Sequence, residues 1–220
     1  MFSWMVHEQL PFPGFAPPAT DRLFFALLPD AAAAEQAMAI AHALKAACRL
    51  KAKPPARRRL HVTLHHLGDH AGLPSEIVAQ AQAAAAQLCH GPFDVHFDRA
   101  ESFLSRRRTL PLVLRGGRVI PLIAFQHALG EALARAGLKR FVSPRYTPHM
   151  TLLYDARYVA ARAAGPLLWQ ARDFVLIHSL LGRTRHAVLG RWTLAQKEGD
   201  DDHHLRHQEL RHHEEGPRLA

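Results

Sequence analysis

The sequence predicts an α+β protein with helices packed outside largely antiparallel strands, and three observations lead there. Ala-rich stretches of helical length are outnumbered by short apolar runs of strand length. Most of those runs follow one another through Gly- or Pro-marked turns, as antiparallel neighbours do. A tetrapeptide, His61-Val62-Thr63-Leu64, recurs as His149-Met150-Thr151-Leu152, one copy in each half of the chain.

The elements follow in order. Arg22 to Leu28 is a short apolar run closed by Pro29-Asp30 and reads as a buried strand. Ala31 to Leu50 reads as a helix, with Asp30 placed to cap it. Leu60 to Leu67 alternates as a strand does, and Gly68-Asp69 is expected to end it. Pro74 to Leu88 is a second helix that starts at Pro74-Ser75. Phe93 to Phe103 and Leu110 to Arg115 are two strands joined by the basic turn Ser105 to Arg108. Val119 to Ala136 is a third helix, with Gly137 as its stop. His149 to Tyr154 is a strand introduced by Pro148, and Phe174 to Leu181 with Ala187 to Leu194 forms a closing hairpin across Gly182 to Arg185.

The bulk composition narrows the partners. The 220 residues suffice for one substantial domain or two small lobes sharing a cleft. The formal charge of +9 conceals a −3 segment over the last 24 residues, which leaves +12 on the rest. A basic body favours polyanionic or phosphate-bearing partners. No apolar run approaches the roughly 20 residues that span a membrane. Residues 1–20 lack a basic start and are broken by prolines, so they read as a flexible arm rather than a leader, and the protein is expected in the cytoplasm. Residues 21–196 form the predicted globular body. Residues 197–220 are charged and His-rich, and read as a tail or solvated helix whose histidines bind metal only adventitiously. Cys48 and Cys89 lie far apart in helical stretches and read as buried free thiols, not as a disulfide or a zinc site.

The repeated motif carries the chemistry. On a strand, His61 and Thr63 point one way while Val62 and Leu64 point the other, and the second copy behaves alike. The apolar pairs can bury against helices, leaving two imidazoles and two hydroxyls around one cleft. Such a set suits a phosphate, with hydroxyls donating to its oxygens and the imidazoles acting as base and acid. By the same parity His65 shares the face of His61 and reads as a surface histidine, whereas His66 joins Val62 and Leu64 as a packed or edge residue. The runs Arg57-Arg58-Arg59 and Arg106-Arg107-Arg108 are equally consistent with guiding an RNA backbone and with solvated loops. The sequence holds no GxSxG, P-loop, HExxH or GxGxxG, so serine hydrolase, triphosphatase, zinc protease and dinucleotide readings lack support.

With those motifs, the chain resembles the 2H phosphoesterase superfamily, specifically its RNA 2′,3′-cyclic phosphodiesterase (2′-5′ RNA ligase) branch. The resemblance runs from Arg22 to Leu194 through RLFFALLPD, LHVTLHHLGD, SFLSRRRTLPLVLRGG and PHMTLLYD. It implies a bilobal, pseudo-twofold fold, with two antiparallel sheets flanking a central cleft, and a monomer that needs no metal or cofactor. It also implies His61 and His149 as the catalytic pair, His61 as acid and His149 as base, with Thr63 and Thr151 holding phosphate oxygens. Many relatives carry a basic residue where this chain has Tyr154, which enters as a substrate-binding phenol, and a Phe where it has His66. The implied reaction opens 2′,3′-cyclic phosphates at RNA ends or on nucleotides to the 2′-phosphate, with 2′-5′ ligation as its reverse. Two readings compete: a phosphodiesterase for another small cyclic phosphate, such as a nucleotide or ADP-ribose derivative, and a non-catalytic RNA-binding module.

Overall fold

The computed structural model describes residues 17–105, 108–117, 119–183 and 185–195. The expected arm through residue 16, the tail from residue 197 and two arginines of the second basic run, Arg106 and Arg107, lie outside the described residues. The chain folds as β1 (Asp21–Leu27), α1 (Ala31–Ala47), β2 (Val62–His70), α2 (Ser75–Ala86), β3 (Phe93–Ser102), β4 (Leu110–Arg115), α3 (Ile120–Leu133), β5 (Met150–Asp155), β6 (Arg162–Ala171), β7 (Asp173–Leu180) and β8 (Arg185–Thr193).

The strands form one eight-stranded antiparallel sheet, ordered β6-β3-β4-β5-β2-β1-β7-β8, not the two sheets expected. The junction is thin. Between β5 and β2 the ladder consists of the single pair Val62↔Met150, and both residues are fully buried. Their apolar side chains point into the helix-covered core, which continues the sheet across a seam that a cleft opens above. On either side of it the halves repeat one another. Thr63, His65 and His66 stand opposite Ala26, Phe25 and Phe24, and Thr151, Leu153 and Tyr154 stand opposite Val113, Leu112 and Pro111. Each half skips one residue, Leu64 in the first and Leu152 in the second, so the same bulge interrupts both motif strands.

Burial follows from the sequence pattern. Leu23, Phe25 and Leu27 enter the main core, while Phe24 and Ala26, on the other face of β1, form a small second cluster with Val175 and Ile177. A strand buried on both faces needs the continuous apolar run that RLFFALL supplies. Each fully buried Leu or Phe contributes about 1.5–3 kcal/mol, and α1, α2 and α3 seal the main core.

Helix ends show where local chemistry decides. The Asp30 carboxylate accepts from the Ala33 amide at 2.8 Å and caps α1. The helix was expected to reach Leu50 but stops at Ala47, because Arg49 turns into the left-handed region with φ 52°. The Arg49 and Leu50 amides then donate back to the carbonyls of Ala46 and Lys45, at 3.2 and 2.9 Å. Glycine usually takes this position, and without one the stop is not visible in the sequence. Gly137, with φ 85°, takes the left-handed position in the turn that follows α3.

Three further expectations are corrected. Strand β2 runs through Gly68-Asp69 to His70, because Asp21 and Arg22 of β1 continue to pair with it. Strand β6, which contains Gly165-Pro166, was not expected: no strand was read between Tyr154 and Phe174. It is an edge strand, and a register shift opposite Phe97 to Arg99 takes up the Gly-Pro pair, the setting in which a sheet tolerates proline. Neither cysteine is buried: Cys48 is half-exposed and Cys89 is exposed. Among the described residues no helix is long and apolar enough to cross a membrane.

Candidate active site

Both motif histidines stand at the mouth of their strands, one residue before the seam pair. A short turn, Arg57–Arg59, delivers His61, and Pro148 delivers His149. Each imidazole is held in the same way. The Nδ1–H of His61 donates to the carbonyl of Arg59 at 2.7 Å, and that of His149 donates to the carbonyl of Thr147 at 2.7 Å. A carbonyl can only accept, so Nδ1 must carry the proton and Nε2 is the nitrogen left for chemistry. Antiparallel pairing about Val62↔Met150 sets His61 on the Thr151 side and Thr63 on the His149 side.

All five residues expected at the site, His61, Thr63, His149, Thr151 and Tyr154, line one open cleft of about 710 Å³. Simple strand parity would have sent Tyr154 to the opposite face from His149. The bulge at Leu152 reverses the alternation and returns it to the cleft. The matching bulge in β2 overturns the readings of two other histidines. His66 faces the cleft instead of packing with Val62 and Leu64. His65 is buried instead of exposed, with its ring nitrogen Nε2 donating to the Gln126 carbonyl at 2.8 Å.

Several other lining groups were not expected. His186 of β8 meets the His61 ring edge to face with centroids 5.7 Å apart, and Phe24 packs against both rings at 5.0 and 5.8 Å. On the other half Phe103 meets the His149 ring at 4.9 Å. Aromatic contact thus fixes each imidazole from the side while the carbonyl fixes it from behind. Lys53, Arg59 and Arg22 bring cations to the cleft. Within the first basic run only Arg59 lines it, and Arg57 instead pairs with Glu35. The Asp155 carboxylate accepts from the Lys51, Ala52 and Arg157 amides at 2.8–2.9 Å, tying the loop that carries Lys53 to the end of β5.

The electrostatics keep these imidazoles neutral. Burial pushes His61 below its ordinary value, and the Arg59 and His149 charges add to this against the carbonyl bond, which favours protonation. Burial also lowers His149, with Arg115 adding to it. His186 is pushed down to about 4, by burial and then by His61 and Arg59. Each imidazole is therefore poised as an acceptor until an anion enters the cleft and favours the charged forms.

The model of the 2′-5′ RNA ligase superfamily matches residues 28–181. The chain belongs to that superfamily. Solved structures agree with the assignment. The E. coli LigT structure in apo form is 30% identical, covers 81% of this chain and 100% of its own, and superposes with a TM-score of 0.63. LigT complexed with 3′-AMP is 29% identical over 81% of this chain and 100% of its own, with a TM-score of 0.62. TT0787 of Thermus thermophilus, 21% identical over 80% of this chain and 99% of its own with a TM-score of 0.62, shares the fold. Comparison with curated protein sequences yields no match. Within the superfamily, the α+β fold with its antiparallel sheet is LigT-like, and 2H phosphoesterases are generally phosphodiesterases.

Proposed function

We propose that this 2H phosphoesterase opens 2′,3′-cyclic phosphates at RNA ends or on nucleotides, leaving the 2′-phosphate. The observation that carries the reading is the matched anchoring of His61 and His149, each with Nδ1 committed to a carbonyl, in one cleft that also holds Thr63 and Thr151. The LigT structures complexed with 3′-AMP and with phosphate support a nucleotide-sized, phosphate-bearing ligand for such a cleft.

In the proposed step the phosphate sits between the two Nε2 atoms, and the threonine hydroxyls donate to its non-bridging oxygens. Water attacks phosphorus in line with the 3′ oxygen. His149 Nε2 takes a proton from the water as the P–O bond forms. His61, protonated at Nε2, gives its proton to the 3′ oxygen as that P–O bond breaks. The products are a 2′-phosphomonoester and a free 3′ hydroxyl, with the two histidines having exchanged protonation states. A 5′ hydroxyl in place of water would give a 2′-5′ linkage by the same path. The residues invoked need no metal, and since one chain holds both motifs a single copy suffices for the reaction. Lys53 and Arg59 draw the polyanion in.

A substrate with sulfur in place of the 3′ bridging oxygen tests the roles, because a thiolate leaves without a proton. His61→Ala should regain most of its lost rate on this substrate while His149→Ala stays slow. The opposite pattern would exchange the roles.

A further inference from the structure

The run Arg57-Arg58-Arg59 forms a single 3₁₀ turn, and at three residues per turn its side chains leave in three directions. Arg57 turns outward to Glu35, and Arg58 is exposed. Arg59 is half-buried and lines the catalytic cleft. Its carbonyl is the one that fixes Nδ1 of His61, so its backbone and its side chain serve the same imidazole. Its charge is felt by the rings of both His61 and His186.

Three cations line the cleft, and they differ in what they have left to offer. Arg22 already gives Nε and Nη2 to the two Asp69 oxygens, both at 2.6 Å. Lys53 is exposed, so water screens its charge. Arg59 has no ion pair or side-chain hydrogen bond among the described residues, and its Nε is buried without an acceptor. A guanidinium withdrawn from water with no counter-ion is a local cost to the folded protein, which an anion in the cleft would offset. Its planar fork of donors matches the oxygens of a phosphate.

We infer that Arg59 is a catalytic residue, its guanidinium donating to a non-bridging oxygen of the phosphate beside His61 and stabilising the charge that builds there during attack. This role rests on the phosphodiesterase reading. The diester enters with one negative charge. Once His149 has taken the water proton, the five-coordinate phosphorus group carries a second, spread over the non-bridging oxygens until His61 protonates the departing 3′ oxygen. A fixed cation tightens its hold across that step, which lowers the barrier more than it strengthens substrate binding. Such a residue acts on kcat, whereas a cation that only steers acts on association and fades with salt.

The test is turnover of a 2′,3′-cyclic mononucleotide by Arg59→Met, which keeps the packed stem and the backbone carbonyl but loses the charge. Each variant is assayed at its own pH optimum, because losing the Arg59 charge also lets the His61 value rise. In Arg59→Met kcat should fall on the order of 10²-fold, at low and high salt alike. Arg59→Lys, with the charge but no fork, should recover part of that loss, and added guanidinium ion should raise the rate of Arg59→Ala. Arg58→Met, on the same turn, should stay near wild type. A loss confined to KM and erased by salt, or an equal loss in Arg58→Met, would overturn the role. A binding arm works without turnover. Inorganic phosphate should bind the wild-type protein and bind Arg59→Met roughly tenfold more weakly. Phosphate binding that depends on Arg59 in a protein that opens no cyclic phosphate would keep the contact and overturn the proposed reaction. Equal phosphate affinity in wild type and Arg59→Met would overturn the contact itself.

Discussion

His186 stands edge-on to His61, ring centroids 5.7 Å apart, and helps to shield the imidazole from water. Its own pKa is pushed down to about 4, so at neutral pH it is an uncharged neighbour. His186→Ala should admit water, and because burial is the main cause of the lowered His61 value, that value should rise toward the ordinary 6.5. His186→Phe should keep it low. NMR titration of the His61 ring in the two variants checks this.

The same burial sets the rate profile. His61 and His149 both lie below the ordinary histidine value in the free protein. The form with one imidazole charged and one neutral is therefore most populated below pH 6.5. We expect a bell-shaped kcat/KM with its optimum on that acidic side. A bound phosphate anion stabilises the protonated forms, so the optimum of kcat should lie at higher pH. Steady-state rates across pH, separated into the two parameters, test both statements.

Stability should respond in the same sense. His61, His149 and His186 are depressed in the folded state, so the unfolded chain binds their protons more readily. Their neutral forms contribute fully above pH 6.5, and that contribution is lost as pH falls toward about 4, the value for His186. Thermal unfolding should show Tm falling across this window, and His186→Phe should fall less steeply.

Arg49 in the left-handed region is a local cost that glycine relieves. Arg49→Gly should stabilise the protein by about 1 kcal/mol, measured as a higher urea midpoint at unchanged slope. We also expect the body at residues 21–196 to suffice for activity. Removing residues 197–220 should leave Tm and cyclic-nucleotide turnover nearly unchanged, since that stretch offers little apolar surface.

Much of the site was legible because it is written twice. The alternation in HVTL and HMTL placed Val62 and Met150 in the core and the His-Thr pairs at the cleft, and the structure puts them there. Parity failed one turn of the pattern later, at Leu64 and Leu152. A bulge leaves no residue signature in these strands, so His65 and His66 changed faces without warning, and Tyr154 was placed at the cleft by the family resemblance and not by strand parity. His186 and Phe24 were hidden for another reason. They come from β8 and β1, and only the order of strands in the sheet brings them to His61. The single sheet was equally hidden, because one residue pair, Val62↔Met150, joins two halves that otherwise pair internally.

Turnover of a 2′,3′-cyclic nucleotide, with the product isomer identified, tests the central claim most directly. The wild-type protein should release the 2′-phosphate and keep its rate in excess EDTA. His61→Ala and His149→Ala should each lose on the order of 10²-fold or more. Thr63→Ala and Thr151→Ala should lose about tenfold each, the worth of one hydrogen bond to a charged group. Failure of the wild-type protein to open any 2′,3′-cyclic phosphate, or loss of its activity to the chelator, would contradict the two-histidine account.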